Sequence, residues 1–128
     1  MNRLAGVHPV LIQKVQRVLS TMAAAGHPML VTDGLRTAAR QVALYAQGRT
    51  LPGRIVTHCD GLHTKSNHQP HADGFGYAVD CAFVVDGQPS WDEMLPWHLY
   101  GAAAKAEGLR WGGDWPAPKT DKPHCELA

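Results

Sequence analysis

Tyr77-Ala78-Val79-Asp80-Cys81-Ala82-Phe83-Val84-Val85-Asp86-Gly87 is the stretch on which the fold turns. Strand-forming residues run from Tyr77 to Val85, and Asp86-Gly87 is a strong turn signal that ends the run. One carboxylate, Asp80, stands inside an otherwise apolar segment. A strand holds such a side chain on rigid scaffold, so Asp80 is a candidate functional group rather than a solvated one.

Upstream, Pro9 suits the first turn of a helix, and Leu11, Val15, Val18 and Met22 recur at helical intervals until Gly26 offers a stop. Met29-Leu30-Val31-Thr32 reads as a short strand between Pro28 and Gly34. Thr37 is placed to cap a second helix over Ala38 to Gln47, with Val42 and Tyr45 towards its inner face and Gly48 ending it. From Arg49 to Gly76 regularity fades, and only Arg54-Ile55-Val56-Thr57 looks extended; a loop of this length in a small protein is usually functional. Downstream, Ser90 and Glu93 have the spacing of a capping box for a helix through Trp91, Leu95, Leu99, Ala102, Ala103 and Ala106, closed by Gly108. Leu109-Arg110-Trp111 and the segment from Pro123 to Leu127 are the last strand candidates. Helices and short strands in this mixed order predict an α+β fold with a small antiparallel sheet and packed helices.

The chain of 128 residues, 45 % hydrophobic, suits a single domain over 1–128 that buries a core without disulfides. A formal charge of +1 with scattered Lys and Arg supplies no basic stripe, which argues against a nucleic-acid partner. Met1-Asn2-Arg3-Leu4-Ala5-Gly6 does not open like a signal peptide, and no stretch is long and apolar enough for a membrane span, so cytoplasmic synthesis without membrane insertion is expected. Cys59, Cys81 and Cys125 lack Cys-x-x-Cys spacing and are expected to be free thiols, mostly buried.

The chemistry-bearing residues gather in two motifs, Ser66-Asn67-His68 running on to Asp80, and Asp121-Lys122-Pro123-His124-Cys125-Glu126. Two imidazoles and one carboxylate, His68, His124 and Asp80, are the donor set of a catalytic zinc site that keeps a position open. With the carboxylate counted, a dication there retains a net charge of about +1 and acidifies water towards a pKa of roughly 7 while polarising a carbonyl. Hydrolysis also needs a proton acceptor, for which Asp121 and Glu126 compete: Glu126 shares His124's face in a regular strand, and Pro123 can turn Asp121 towards the same water. Arg36 is placed to stabilise an oxyanion, to bind a substrate carboxylate, or to form a surface ion pair; Asp33 or Asp114 can orient it or a ligating histidine. Trp111-Gly112-Gly113-Asp114-Trp115 sets two aromatics around a permissive turn able to line a cleft, with core packing the expectation for Trp111.

From Val31-Thr32-Asp33-Gly34-Leu35-Arg36-Thr37 through Ser66-Asn67-His68 and Ala78-Val79-Asp80 to Trp111–Trp115 and Asp121–Glu126, the chain resembles the zinc peptidases of the peptidoglycan D-alanyl-D-alanine carboxypeptidase and L-alanyl-D-glutamate endopeptidase family, the VanY-like group that includes many phage endolysins. The resemblance implies the zinc DD-peptidase (Hedgehog-like) fold and one catalytic Zn2+ held by His68, Asp80 and His124. It selects Asp121 over Glu126 as general base, gives Arg36 the substrate or oxyanion role, and gives Ser66 a supporting one. Asp114 and Trp115 are supporting or substrate-binding candidates on the same reading. The chain departs from the pattern between His68 and Asp80, where many members have a shorter separation; the inserted Gln69 to Gly74 region brings His71 as an alternative ligand.

The expected function is hydrolysis of the L-alanyl-D-glutamate bond of the peptidoglycan stem by a monomeric phage or prophage endolysin, reaching the wall after a separate protein permeabilises the membrane. D-alanyl-D-alanine carboxypeptidase activity is the alternative. From another class, a zinc-stabilised wall-binding module without catalysis fits the ligands but leaves Asp121 without a task, and a zinc nuclease lacks its basic track.

Overall fold

The structure is a computed structural model that describes residues 3–62 and 65–128. Met1 and Asn2, part of the opening read as leader-free, and positions 63 and 64 of the long loop lie outside the described residues.

Helix α1 spans Pro9–Ala24, with Pro9 in its first turn and the His8 side chain accepting from the Val10 N–H. Its stripe Leu11, Val15, Val18 and Met22 is fully buried, each side chain contributing ~1.5–3 kcal/mol by leaving water. Gly26, at φ 85, supplies the left-handed residue past its end. Strand β1 (Met29–Asp33) follows, then α2 (Ala38–Ala46), capped by the Thr37 hydroxyl accepting from Arg40 N. Strand β2 (Ala78–Val85) turns at Asp86 and Gly87, both at positive φ, into β3 (Gln88–Ser90). Helix α3 (Trp97–Ala106), β4 (Leu109–Trp111), a single 3-10 turn (Gly112–Asp114) and β5 (His124–Leu127) complete the chain.

All strand pairs are antiparallel, in the order β1-β2-β5-β4, with β3 pairing the far end of β2. The α+β expectation therefore holds, with a long strand at its centre as the Tyr77–Val85 reading requires. Side chains alternate across a strand. Val79, Cys81 and Phe83 of β2 and Cys125 of β5 enter the core with α1 and with Trp97, Tyr100 and Ala104 of α3. Asp80 and, opposite it in register, His124 therefore project from the other face of the sheet. One face of the sheet builds the core and the other carries chemistry.

Three local expectations are corrected. Helix α3 begins at Trp97 rather than at Trp91: Ser90 belongs to β3, its hydroxyl accepts from Asp92 N, and Pro96 disfavours helical backbone at the residue before it. Arg54–Thr57 pairs with no strand; Ile55 and Val56 remain 53 % exposed on an irregular loop. In α2 the buried residue is Gln41, while Val42 faces solvent and Tyr45 is half-buried beneath the Arg49 guanidinium. All three cysteines are free, Cys81 and Cys125 buried in the core and Cys59 half-buried.

Candidate metal centre and its groove

Asp80 occupies the centre of the sheet, with β1 on one side and β5 on the other. It is paired with Asp33 across β1 and with His124 across β5. The register shifts between Val31 and Asp33, a bulge that re-aims the end of β1. There Asp33 Oδ2 receives Nε and Nη2 of Arg36 at 3.2 and 2.5 Å.

His68 comes from the long loop, on a tight turn rather than a strand. Gln69 N donates to Ser66 O, His68 N to Ser66 Oγ, and Ser66 N to the buried Gln69 side chain. The segment after β1 clamps that turn from outside: Arg36 N donates to His68 O at 2.7 Å, and His68 Nδ1 lies 2.8 Å from Gly34 O. A carbonyl only accepts, so Nδ1 carries the hydrogen and Nε2 presents its lone pair to Asp80. His124 is arranged in the opposite sense. Its Nε2 lies 2.7 Å from Glu126 Oε1, whose other oxygen accepts from Asn67 Nδ2 at 2.6 Å, so in the neutral ring Nδ1 is the bare nitrogen facing Asp80.

Asp80 Oδ1 thus meets two imidazole lone pairs, 3.3 Å from His68 Nε2 and 3.4 Å from His124 Nδ1, and forms no hydrogen bond although it is buried. An unsatisfied carboxylate oxygen inside a protein costs several kcal/mol, and three converging lone pairs are balanced by a cation. The ligand atoms of His68, Asp80 and His124 lie within 4.8 Å of one another, so one metal ion can bind all three. The carboxylate–imidazole pairing behind His124 is the outer support such ligands usually have.

The charges follow from this crowding. Burial alone would raise the Asp80 carboxyl, but the two facing imidazoles hold it well below the usual range. Burial would likewise lower His124, yet the carboxylates of Asp80 and Glu126 beside it push it up to about 9, so without metal a proton occupies part of the cation's place. Metal binding must release that proton. Asp121, whose Oδ2 lies 3.9 Å from His124 Nδ1, is raised to about 6 by burial and by the charge of Asp80.

These groups floor a groove of ≈ 1200 Å³ that also takes in the loop of Ile55, Val56 and Cys59 and the rings of Trp91 and Trp115. Trp115 packs 4.8 Å from the His124 ring. Arg36 reaches the groove but is only 8 % exposed; besides Asp33 its Nη1 donates to Gln41 Oε1 at 2.7 Å, and its Nη2 stands 3.7 Å from Asp80 Oδ2. Ser66 shapes the His68 turn.

Other candidates are placed elsewhere. His71 is stacked on Tyr77 at 3.7 Å and takes no part in the cluster, so the inserted region adds no ligand there. Asp114 pairs with Lys105 of α3 at 3.1 Å, away from Arg36 and from both ligating histidines. Glu126 reaches the groove wall but is buried, with both carboxylate oxygens committed to His124 Nε2 and Asn67. Trp111 packs on the core and donates to Lys122 O. Three amides had no signal in the sequence beyond their place near a motif: the half-buried Asn67, and the buried Gln69 and Gln41, the last of which joins Arg36 to Thr57 Oγ1 and Cys59 O.

Residues 60–127 match the family described as D-alanyl-D-alanine carboxypeptidase. The chain is 33 % identical over 130 residues to the peptidoglycan L-alanyl-D-glutamate endopeptidase CwlK of Bacillus subtilis, covering 94 % of this chain and 73 % of that protein. Among solved structures it is similar to the L-Ala D-Glu endopeptidase ChiX of Serratia marcescens, with a TM-score of 0.60 and 26 % identity over 98 % of this chain and 84 % of the other.

Proposed function

Because the chain belongs to the D-alanyl-D-alanine carboxypeptidase family, we propose that it is a zinc-dependent peptidase that hydrolyses the L-alanyl-D-glutamate bond of the peptidoglycan stem. The observation that carries this reading is the meeting of two imidazole lone pairs and an unsatisfied carboxylate oxygen on the floor of an open groove. Both relatives named above are endopeptidases of that bond, which favours it over removal of a terminal D-alanine.

His68, Asp80 and His124 would hold the ion, a mixed nitrogen and oxygen set suited to zinc. When bound, zinc supplies a Lewis acid that acidifies water and polarises the scissile carbonyl. The chain's own residues do the rest. Asp121, whose Oδ2 stands 3.9 Å from His124 Nδ1 beside the open face, takes the water's proton and returns it to the departing nitrogen. Arg36, anchored by Asp33 and Gln41, stands 3.7 Å from Asp80 Oδ2 and helps to aim that carboxylate, and its fixed positive charge favours the tetrahedral oxyanion. Three of its five N–H groups are engaged and the residue is only 8 % exposed, which leaves little of it for a substrate carboxylate. Trp115 steadies the His124 ring and walls the groove.

Mass spectrometry of muropeptides digested by the zinc-loaded protein tests the reaction and the bond together. New amino termini on D-glutamate are expected; loss of a terminal D-alanine alone would make the carboxypeptidase reading correct, and binding without any cut would favour a wall-binding module. The setting we propose is a phage or prophage lysis system, supported by the VanY-like resemblance, with synthesis in the cytoplasm and a separate membrane-permeabilising protein. Lysis only on co-expression with such a protein is expected, and lysis by the enzyme expressed alone would contradict it.

A further inference from the structure

Charge along the groove is unevenly matched. Its carboxylates are already engaged: Asp33 with Arg36, Asp80 with the two imidazoles, Glu126 with His124 and Asn67, and Asp121 beside His124. Several of its cations are not. Among the described residues, the ammonium groups of Lys65 and Lys119 have neither a hydrogen bond nor an acidic partner, and both side chains are exposed and line the groove. Lys65 stands three residues before His68, at the start of the turn that mounts it, and Lys119 stands two residues before Asp121. The two therefore enter from the separate chain segments that supply a ligand and the proposed base. Lys119 lines the same groove as Cys59 and Asp121. A dication on the floor would add to this positive excess, in a protein whose formal charge is only +1.

We infer that Lys65 and Lys119 form a carboxylate-reading subsite that selects acidic stem peptides over uncharged ones. The inference rests on the endopeptidase reading above, because the glutamate that contributes the scissile nitrogen also carries a carboxyl group outside that bond. Lysine ammoniums on flexible stems act as point charges, so the subsite reads the presence of a negative charge more than its geometry. It needs no covalent step, and it assigns the substrate's carboxylate to these lysines rather than to the engaged Arg36.

Two synthetic stem peptides that differ only at the free carboxyl of D-glutamate, one a carboxylate and the other its carboxamide, provide the test. The ratio of kcat/KM is measured with the zinc-loaded protein, and the ratio of Kd with zinc-loaded Asp121→Asn, which leaves the peptide intact. The carboxylate should be preferred by about tenfold or more at low salt, a preference that shrinks as salt screens the exposed lysines. In the pair Lys65→Gln and Lys119→Gln the ratio should approach one. Both side chains are exposed, and an unchanged melting temperature establishes that the variant folds. Equal handling of the two peptides by the unmodified site, or a preference that survives the double substitution, would overturn the inference. Preferential binding of the carboxylate without cleavage by the native protein would instead uphold the subsite and reject the proposed hydrolysis.

Discussion

Asp121 is where stability and chemistry oppose each other. Its carboxyl is raised from the ordinary value to about 6, so the folded protein holds this proton more tightly than the unfolded chain does. A raised acid contributes fully below its unfolded value, and the contribution is lost as pH climbs through the folded one. At pH 7 the ionised group is therefore a burden on the metal-free protein. Since the side chain is 42 % exposed, solvent screening limits that burden to on the order of 1 kcal/mol. Metal-free Asp121→Asn should melt higher than the parent at pH 7, with the gap closing below pH of about 4, near the unfolded value. The same substitution should leave zinc affinity in place and lower kcat by about 10²–10⁴-fold. Undiminished turnover would remove Asp121 from its role. Glu126 differs: it acts on His124 from behind, so Glu126→Ala should weaken zinc binding by about 10–100-fold in a chelator competition, and Glu126→Gln, which can still accept from Nε2, should recover part of it. Equal affinity in all three would mean that the carboxylate does not set the ring.

Elements succeed here when periodicity and termination agree, and fail when a local signal lacks its tertiary partner. The stripe of α1 was legible because its four apolar positions, Pro9 and Gly26 all state one helix. Strand β2 was legible because its run of strand formers meets Asp86-Gly87. The Ser90–Glu93 spacing misled because a proline at 96 resets the helix start, and Arg54–Thr57 misled because strand composition without a neighbouring edge makes no strand. Candidate ligands were readable as residue types in motifs. The amides were not, since Gln41 looks like any helical glutamine until Arg36, Thr57 and Cys59 close around it. The turn after β4 shows how tightly one element holds another: Asp121 N donates to Gly112 O at 2.8 Å, and a Cβ at Gly112 would collide with the Asp121 carbonyl and press on His124 Cβ. Gly112→Ala should therefore cost about 1–3 kcal/mol of stability and lower zinc affinity and turnover together. Denaturant titration and zinc titration of the same sample check this, and normal zinc binding by a destabilised variant would separate turn from site.

Across the whole molecule, the ligand set joins segments that sequence keeps far apart: a loop turn, the central strand and the last strand. An ion bound there holds these segments in their folded arrangement and binds the unfolded chain poorly, so it must raise stability by linkage, about 2.7 kcal/mol at a free concentration one hundred times Kd. Thermal melts should rise with zinc, fall back on chelation, and show no zinc-dependent rise in His124→Ala. The same long-range closure sets the sheet's division of labour, with Val79, Cys81 and Cys125 facing the helices while Asp80 and His124 face the groove. A crystal of the zinc-loaded protein, with the ion located by its anomalous signal, tests the central claim most directly. The account predicts one ion at about 2.0–2.2 Å from His68 Nε2, His124 Nδ1 and an Asp80 oxygen, with its remaining position open to the groove. An ion bound elsewhere, or one enclosed by four protein donors, would contradict it.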